Sequence, residues 1–133
     1  MQVRIEVPYT LNELFEDVFA PRTEATTVPP AMDVAELPTE TIVLAEVPGV
    51  KKEDIRMTVE DGVLTSRADR KPDQAPEGGK VIFAERTVAG YERKLRLPHD
   101  VDNARIDAEL HNGILKIVLP KAEHAKARTI EIR

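Results

Sequence analysis

In a chain of 133 residues, catalysis would rest on a few nucleophilic, titratable or metal-binding side chains, and their spacing here argues against it. The single serine, Ser66, follows strand-forming residues and lacks the Gly-x-Ser-x-Gly surroundings that lift a nucleophile onto a sharp turn. With no cysteine, a thiolate nucleophile, a thiolate zinc site and a disulfide framework are all closed off. His99, His111 and His124 stand 12 and 13 residues apart, without the short spacing that puts two ligands on one helix face or hairpin. The acidic pairs Glu53-Asp54 and Glu60-Asp61 fall at turns, where carboxylates are ordinarily solvated and nothing brings the two pairs together for acid-base work. No glycine pattern resembles a phosphate loop. The expectation is a protein that is not an enzyme and needs no cofactor or metal.

Apolar residues in unusual places are the other candidates. After Pro120, the polar segment from Lys121 to Thr129 gives way abruptly to Ile130-Glu131-Ile132. Isoleucines at i and i+2 lie on one side of an extended strand, so the tail carries two apolar knobs on a polar string. Near the other end, Leu11, Leu14, Phe15, Val18 and Phe19 recur at i, i+3, i+4, i+7 and i+8, opposite Glu13, Glu16 and Asp17. That period predicts a short amphipathic helix, started by the capping-box spacing of Thr10 and Glu13 and stopped by Pro21. About nine residues make a marginal helix alone, so the stripe needs a surface to lie against.

The elements that must position these segments are strands. From Glu24 to Pro30 the chain has two prolines and no apolar period, which reads as a linker, and the folded domain is expected after it. Beyond Ala31, short β-branched segments alternate with turn residues about every ten positions, the pattern of an all-β sandwich or barrel. Thr41 to Val47 ends at Pro48-Gly49. Ile55, Met57 and Val59 alternate with polar residues and turn at Asp61-Gly62 into Val63-Leu64, a hairpin with a two-residue loop. Ile106, Ala108 and Leu110 alternate likewise and turn at Asn112-Gly113 into Ile114 to Leu119. Between the hairpins, Val81 to Arg86 and Tyr91 to Leu97 read as two strands around Ala89-Gly90. Arg70 to Lys80, rich in Pro, Gly and charge, is expected as an exposed loop that delivers Val81-Ile82-Phe83 to a neighbour.

Composition bounds the rest. Hydrophobic residues are 41% and aromatics 4%, with no Trp, so the core must be built from Val, Ile and Leu. Net charge is -5, which lacks the basic footprint that nucleic acid demands. No apolar run approaches the ~18 residues of a membrane span, and Met1 to Pro8 alternates polar and apolar residues unlike a signal peptide. A soluble, cytoplasmic protein with neither a membrane nor a nucleic-acid partner is expected.

Several stretches together resemble the small heat-shock protein family. Pro30 to Glu36 resembles the opening of its α-crystallin domain, and Leu44-Ala45-Glu46-Val47-Pro48-Gly49-Val50 its next strand and turn. Glu85-Arg86, Gly90-Tyr91 and Arg96-Leu97-Pro98 match the segment before the final hairpin. Ala108-Glu109-Leu110-His111-Asn112-Gly113-Ile114-Leu115, running to Leu119-Pro120-Lys121, resembles its signature stretch, and Ile130-Glu131-Ile132 its Ile-x-Ile tail. The resemblance implies an immunoglobulin-like β-sandwich over residues 31 to 121, a helical arm over 1 to 30 and an extended tail over 122 to 133. It implies an ATP-independent holdase that binds partly unfolded clients and assembles as a larger homo-oligomer. By the same resemblance, Val81, Ile82 and Phe83 cross to a partner's strand near Met32 and Val34, with Arg93 beside that dimer contact. The tail isoleucines fill a groove matching Ile55, Met57, Val59 and Ala108, and the apolar stripe from Leu11 to Phe19 takes clients. Val3-Arg4-Ile5-Glu6-Val7 repeats the tail's design and is a second candidate for that groove. The alternative is a co-chaperone or adaptor on the same sandwich, a class that usually lacks both the exchanged strand and the Ile-x-Ile tail.

Overall fold

The computed structural model of the chain describes residues 26–86, 88–123 and 128–133. The arm stripe from Leu11 to Phe19 and the Met1 to Val7 segment lie outside the described residues. Among the described residues eight strands follow in order: β1 (Thr26–Val28), β2 (Met32–Glu36), β3 (Glu40–Glu46), β4 (Ile55–Glu60), β5 (Val63–Asp69), β6 (Val88–Arg96), β7 (Asp107–His111) and β8 (Ile114–Pro120). They form two four-stranded sheets, ordered β1-β6-β5-β4 and β2-β3-β8-β7. The expected all-β sandwich is the observed architecture.

Both predicted hairpins close as their turn residues dictate. Asp61 and Gly62 take φ of 50° and 74°, and Asn112 and Gly113 take 51° and 75°. Two successive left-handed residues make the turn whose twist suits antiparallel strands, and Asp-Gly and Asn-Gly adopt it at least cost. The registers Glu60↔Val63 and His111↔Ile114 follow directly. Because side chains alternate along a strand, those registers also decide which residues face inward.

The core lies between the sheets and is aliphatic, as the composition requires. Val43, Val47, Leu64 and Ile117 are its most deeply buried large side chains, joined by Leu115 and Leu119. Each contributes roughly 1.5 to 3 kcal/mol by leaving water. Tyr91 buries its ring and donates its hydroxyl to the Pro48 carbonyl at 3.4 Å, so its polar tip is not stranded.

Three sequence expectations need correction. Thr26–Val28, inside the expected linker, forms β1, pairing in parallel with Val88 to Tyr91. Val81 to Arg86 forms no strand, and its end is tied back to the preceding loop by the Arg86–Asp73 pair at 2.7 Å. Ala89-Gly90 is not a turn but lies within β6. A Cβ on Gly90 would come within 2.7 Å of the Ala68 carbonyl oxygen, so glycine here serves close backbone approach rather than chain reversal.

Candidate interaction surfaces

The edges of a sandwich carry unpaired backbone groups and half-covered inner faces, so they are where this fold can bind. Pro29 to Ala31 alone joins β1 to β2, and Arg93 donates to the Pro30 carbonyl at 3.3 Å. The four Cα steps from Val28 to Met32 reach about 13 to 14 Å, whereas running from one edge of a four-stranded sheet to the far edge of a sheet packed about 10 Å away takes about 17 Å. The β1 and β2 edges therefore share one side of the sandwich, and the β4 and β7 edges share the other.

On the β4-β7 side, register places Ile55, Met57 and Val59 opposite the buried Ala68, Ser66 and Leu64. Ala108 stands opposite Ile117, which is 1% exposed. All four predicted groove residues thus point inward, and the fold brings them to one side. Ile55 and Met57 pack partly on the core, but Val59 remains 38% exposed and Ala108 is exposed. The inward apolar rows of β4 and β7 thus stay partly exposed at two neighbouring edges.

On the opposite side, Met32 and Val34 face inward beside Ala45 and Val43, yet Val34 is 59% exposed. One side of β2 pairs with β3, and among the described residues no strand pairs with its other side. Val81 is 63% exposed on the loop, with Ile82 and Phe83 half-buried. Arg86 at the end of that loop bonds Asp73 near its start at 2.7 Å. Residues 71 to 80 are exposed throughout, as expected of a loop without apolar content. Arg93 extends from the inward row of β6 toward the β1-β2 connection, on the same side as the free edge of β2.

Ile130 and Ile132 are 73% and 93% exposed. Sequence reasoning missed how firmly the root of their segment is held. The Lys121 amide bonds the Thr39 carbonyl at 2.9 Å, and the Ala122 amide bonds the Asp100 carbonyl at 2.7 Å. Arg105 donates to the Lys121 carbonyl at 3.2 Å and to the Asp102 carboxylate at 2.7 Å. The Lys121 ammonium meets Glu36 at 2.8 Å. These contacts hold the Glu36 and Asp102 carboxyls below the usual carboxylate range, mainly by hydrogen bonds from Lys121 and Arg105 respectively. The three-residue spacing of Asp102 and Arg105, with Asp102 capping the Ala104 amide, was the available signal.

The residues first considered for chemistry are dispersed. Ser66 is buried and donates to the Arg93 carbonyl at 3.5 Å, and His111 contacts Asn112 at 3.1 Å on the surface. Among the described residues no three ligating side chains cluster, and no helix is long and apolar enough to cross a membrane.

Over residues 33–133 the chain matches the Hsp20/alpha crystallin family. This chain belongs to that family. It is 32% identical over 130 residues to heat shock protein 16 of Schizosaccharomyces pombe, covering 91% of this chain and 90% of that one. The solved structure of heat shock protein 16.0 from the same organism superposes with a TM-score of 0.63 at 32% identity, covering 79% of this chain and 98% of the other. A 26.5 kDa mitochondrial heat shock protein of Arabidopsis thaliana is 39% identical over 90 residues, 65% of this chain, and that match spans 38% of the plant protein's length. Membership of the Hsp20/alpha crystallin family implies a chaperone role in stress. Its relatives include an organellar protein, so the fold alone does not fix a compartment.

Proposed function

We propose that the chain is an ATP-independent holdase of the cytoplasm, which assembles from exchanged-strand dimers and captures partly unfolded proteins before they aggregate. The observation that carries this reading is the set of inward-facing apolar residues left wet at both sides of the sandwich, Val34 at one and Val59 with Ala108 at the other. A lone monomer would leave these edges open to aggregation, whereas a neighbour that supplies a strand to each would close them.

In the assembly, Val81, Ile82 and Phe83 add a strand to the free edge of a partner's β2, over Met32 and Val34. Arg93 lies beside that contact. The tail's Ile130 and Ile132 enter a neighbour's slot lined by Ile55, Met57, Val59 and Ala108. From the clamp at Ala122, eight residues to Ile130 reach at most about 26 to 29 Å, enough to bridge adjacent dimers. Each tail contact is weak, and many together hold the particle while letting subunits leave one contact at a time.

Capture needs no ATP because a client that has lost its packing offers apolar surface, and burying it runs downhill in free energy. The stripe of Leu11, Leu14, Phe15, Val18 and Phe19 supplies such a surface once subunits separate on heating. Heating an aggregation-prone client at equimolar ratio in ATP-free buffer, with light scattering recorded, tests the reading. Suppressed scattering is expected, and unchanged scattering refutes it.

A further inference from the structure

The two outer faces of the sandwich differ in kind. Cross-strand register puts Glu92, Arg67 and Arg56 in one row of the β6-β5-β4 face, and Lys94, Thr65 and Thr58 in the next. That surface is polar, and Arg67 pairs with Asp69 at 3.0 Å and with Glu92 at 3.8 Å. On the outer face of the other sheet, one row is Ala35, Ile42, Val118 and Asp107. The next is Asp33, Leu44, Lys116 and Glu109. Four apolar side chains therefore adjoin on an outward surface. Leu44 is 40% exposed, Ala35 is exposed, and Ile42 and Val118 are half-buried.

Around them stand five carboxylates: Asp33, Asp107 and Glu109 in those rows, with Glu40 and Glu46 at the two ends of β3. Lys116 is the only cation in the two rows. Among the described residues, none of the five carboxylates has a cationic side chain within ion-pair distance. An apolar centre inside an unneutralised acidic rim gains by covering the first and supplying charge to the second.

We propose that this face is a second client-binding surface, selective for extended apolar segments that carry positive charge; this rests on the holdase reading. Another copy is a poor occupant. The opposite outer face has no apolar row to match, and two acidic faces set together would oppose five carboxylates with five. A cationic apolar segment satisfies both parts of the surface, and the chain's net charge of -5 draws it in.

The test uses the full chain and two labelled decapeptides, one alternating Leu with Lys and one alternating Leu with Glu, followed by fluorescence anisotropy at 150 mM salt. The Lys peptide should bind at least about tenfold more tightly than the Glu peptide. The double charge reversal Asp107→Lys, Glu109→Lys should abolish that preference, and Glu46→Lys alone should reduce it. Far-ultraviolet circular dichroism checks that the variants fold. Leu44→Ser should weaken both peptides. Equal binding of the two peptides, or a preference that survives all three charge changes, overturns the proposal. A preference held equally by a chain ending at Lys121 excludes the tail as its source, whereas loss on that truncation also overturns it. Failure of the parent chain to suppress client aggregation, with the preference and its charge sensitivity intact, would refute the holdase reading and leave the surface standing.

Discussion

Replacing Ile130 and Ile132 by Ser removes the apolar half of the tail contact, and its size follows from exposure. At 73% and 93% exposed, the two side chains have nearly all their surface still to bury. Complete burial of an isoleucine gives about 1.5 to 3 kcal/mol, so the pair offers about 3 to 6 kcal/mol. Fixing the three residues from Ile130 to Ile132 costs roughly 1 to 2 kcal/mol each in backbone entropy, which nearly cancels that gain. Backbone pairing along the slot supplies the remainder, and one docked tail is expected to be weak, on the order of millimolar. The double Ser variant leaves the ordering cost unopposed and should release dimers. Ile130→Ser alone loses about 2 kcal/mol per tail and should speed subunit exchange by about thirtyfold. Native mass spectrometry reads the first outcome, and mixing of isotope-labelled with unlabelled protein reads the second. An unchanged native mass for the double variant would refute the reasoning.

Deleting Lys71 to Glu85 should remove the exchanged strand and leave aggregation-prone monomers, and size separation with light scattering that still shows dimers as the smallest unit would put the pairing at another edge. Gly90→Ala sets a methyl 2.7 Å from the Ala68 carbonyl oxygen and should destabilise the sandwich by about 1 to 3 kcal/mol, lowering Tm by at least about 4 °C by calorimetry. The tail-root carboxyls of Glu36 and Asp102 are held below their ordinary values in the folded state, so their contribution is complete above the usual carboxylate range. It is lost as pH falls through the lowered folded values. The Glu36→Gln, Asp102→Asn double variant should therefore be less stable than the parent in denaturant at neutral pH, with the gap closing in strong acid.

The hairpins were legible because local chemistry specifies them: Asp61-Gly62 and Asn112-Gly113 reach positive φ, and the alternation on either side sets the inward face. The same alternation puts Ile55, Met57 and Val59 on one face of β4 and Ala108 on one face of β7, whereas a groove role for them comes only from the family resemblance. Thr26–Val28 was not legible, since three residues bounded by prolines show no period and gain their strand character only from β6. Val81 to Arg86 has the composition of a strand, but a strand is a relation between two segments, and composition does not say which segment supplies the ladder. Gly90 reads in sequence as a break between two strands because a glycine that permits close approach looks like one that permits reversal. The tail clamp joins Glu36, Asp102, Arg105 and Lys121 from three parts of the chain, a meeting created by the β2-β3 and β3-β8 pairings and the Val101–Lys121 bridge.

Sedimentation of a fluorescently labelled client, heated with an equimolar amount of the protein in buffer stripped of ATP, tests the central claim most directly. The account predicts that the client stays soluble and sediments together with the protein as one large particle, with the same yield when ATP is added. Client that pellets as it does alone, or that stays soluble only when ATP is present, would contradict it.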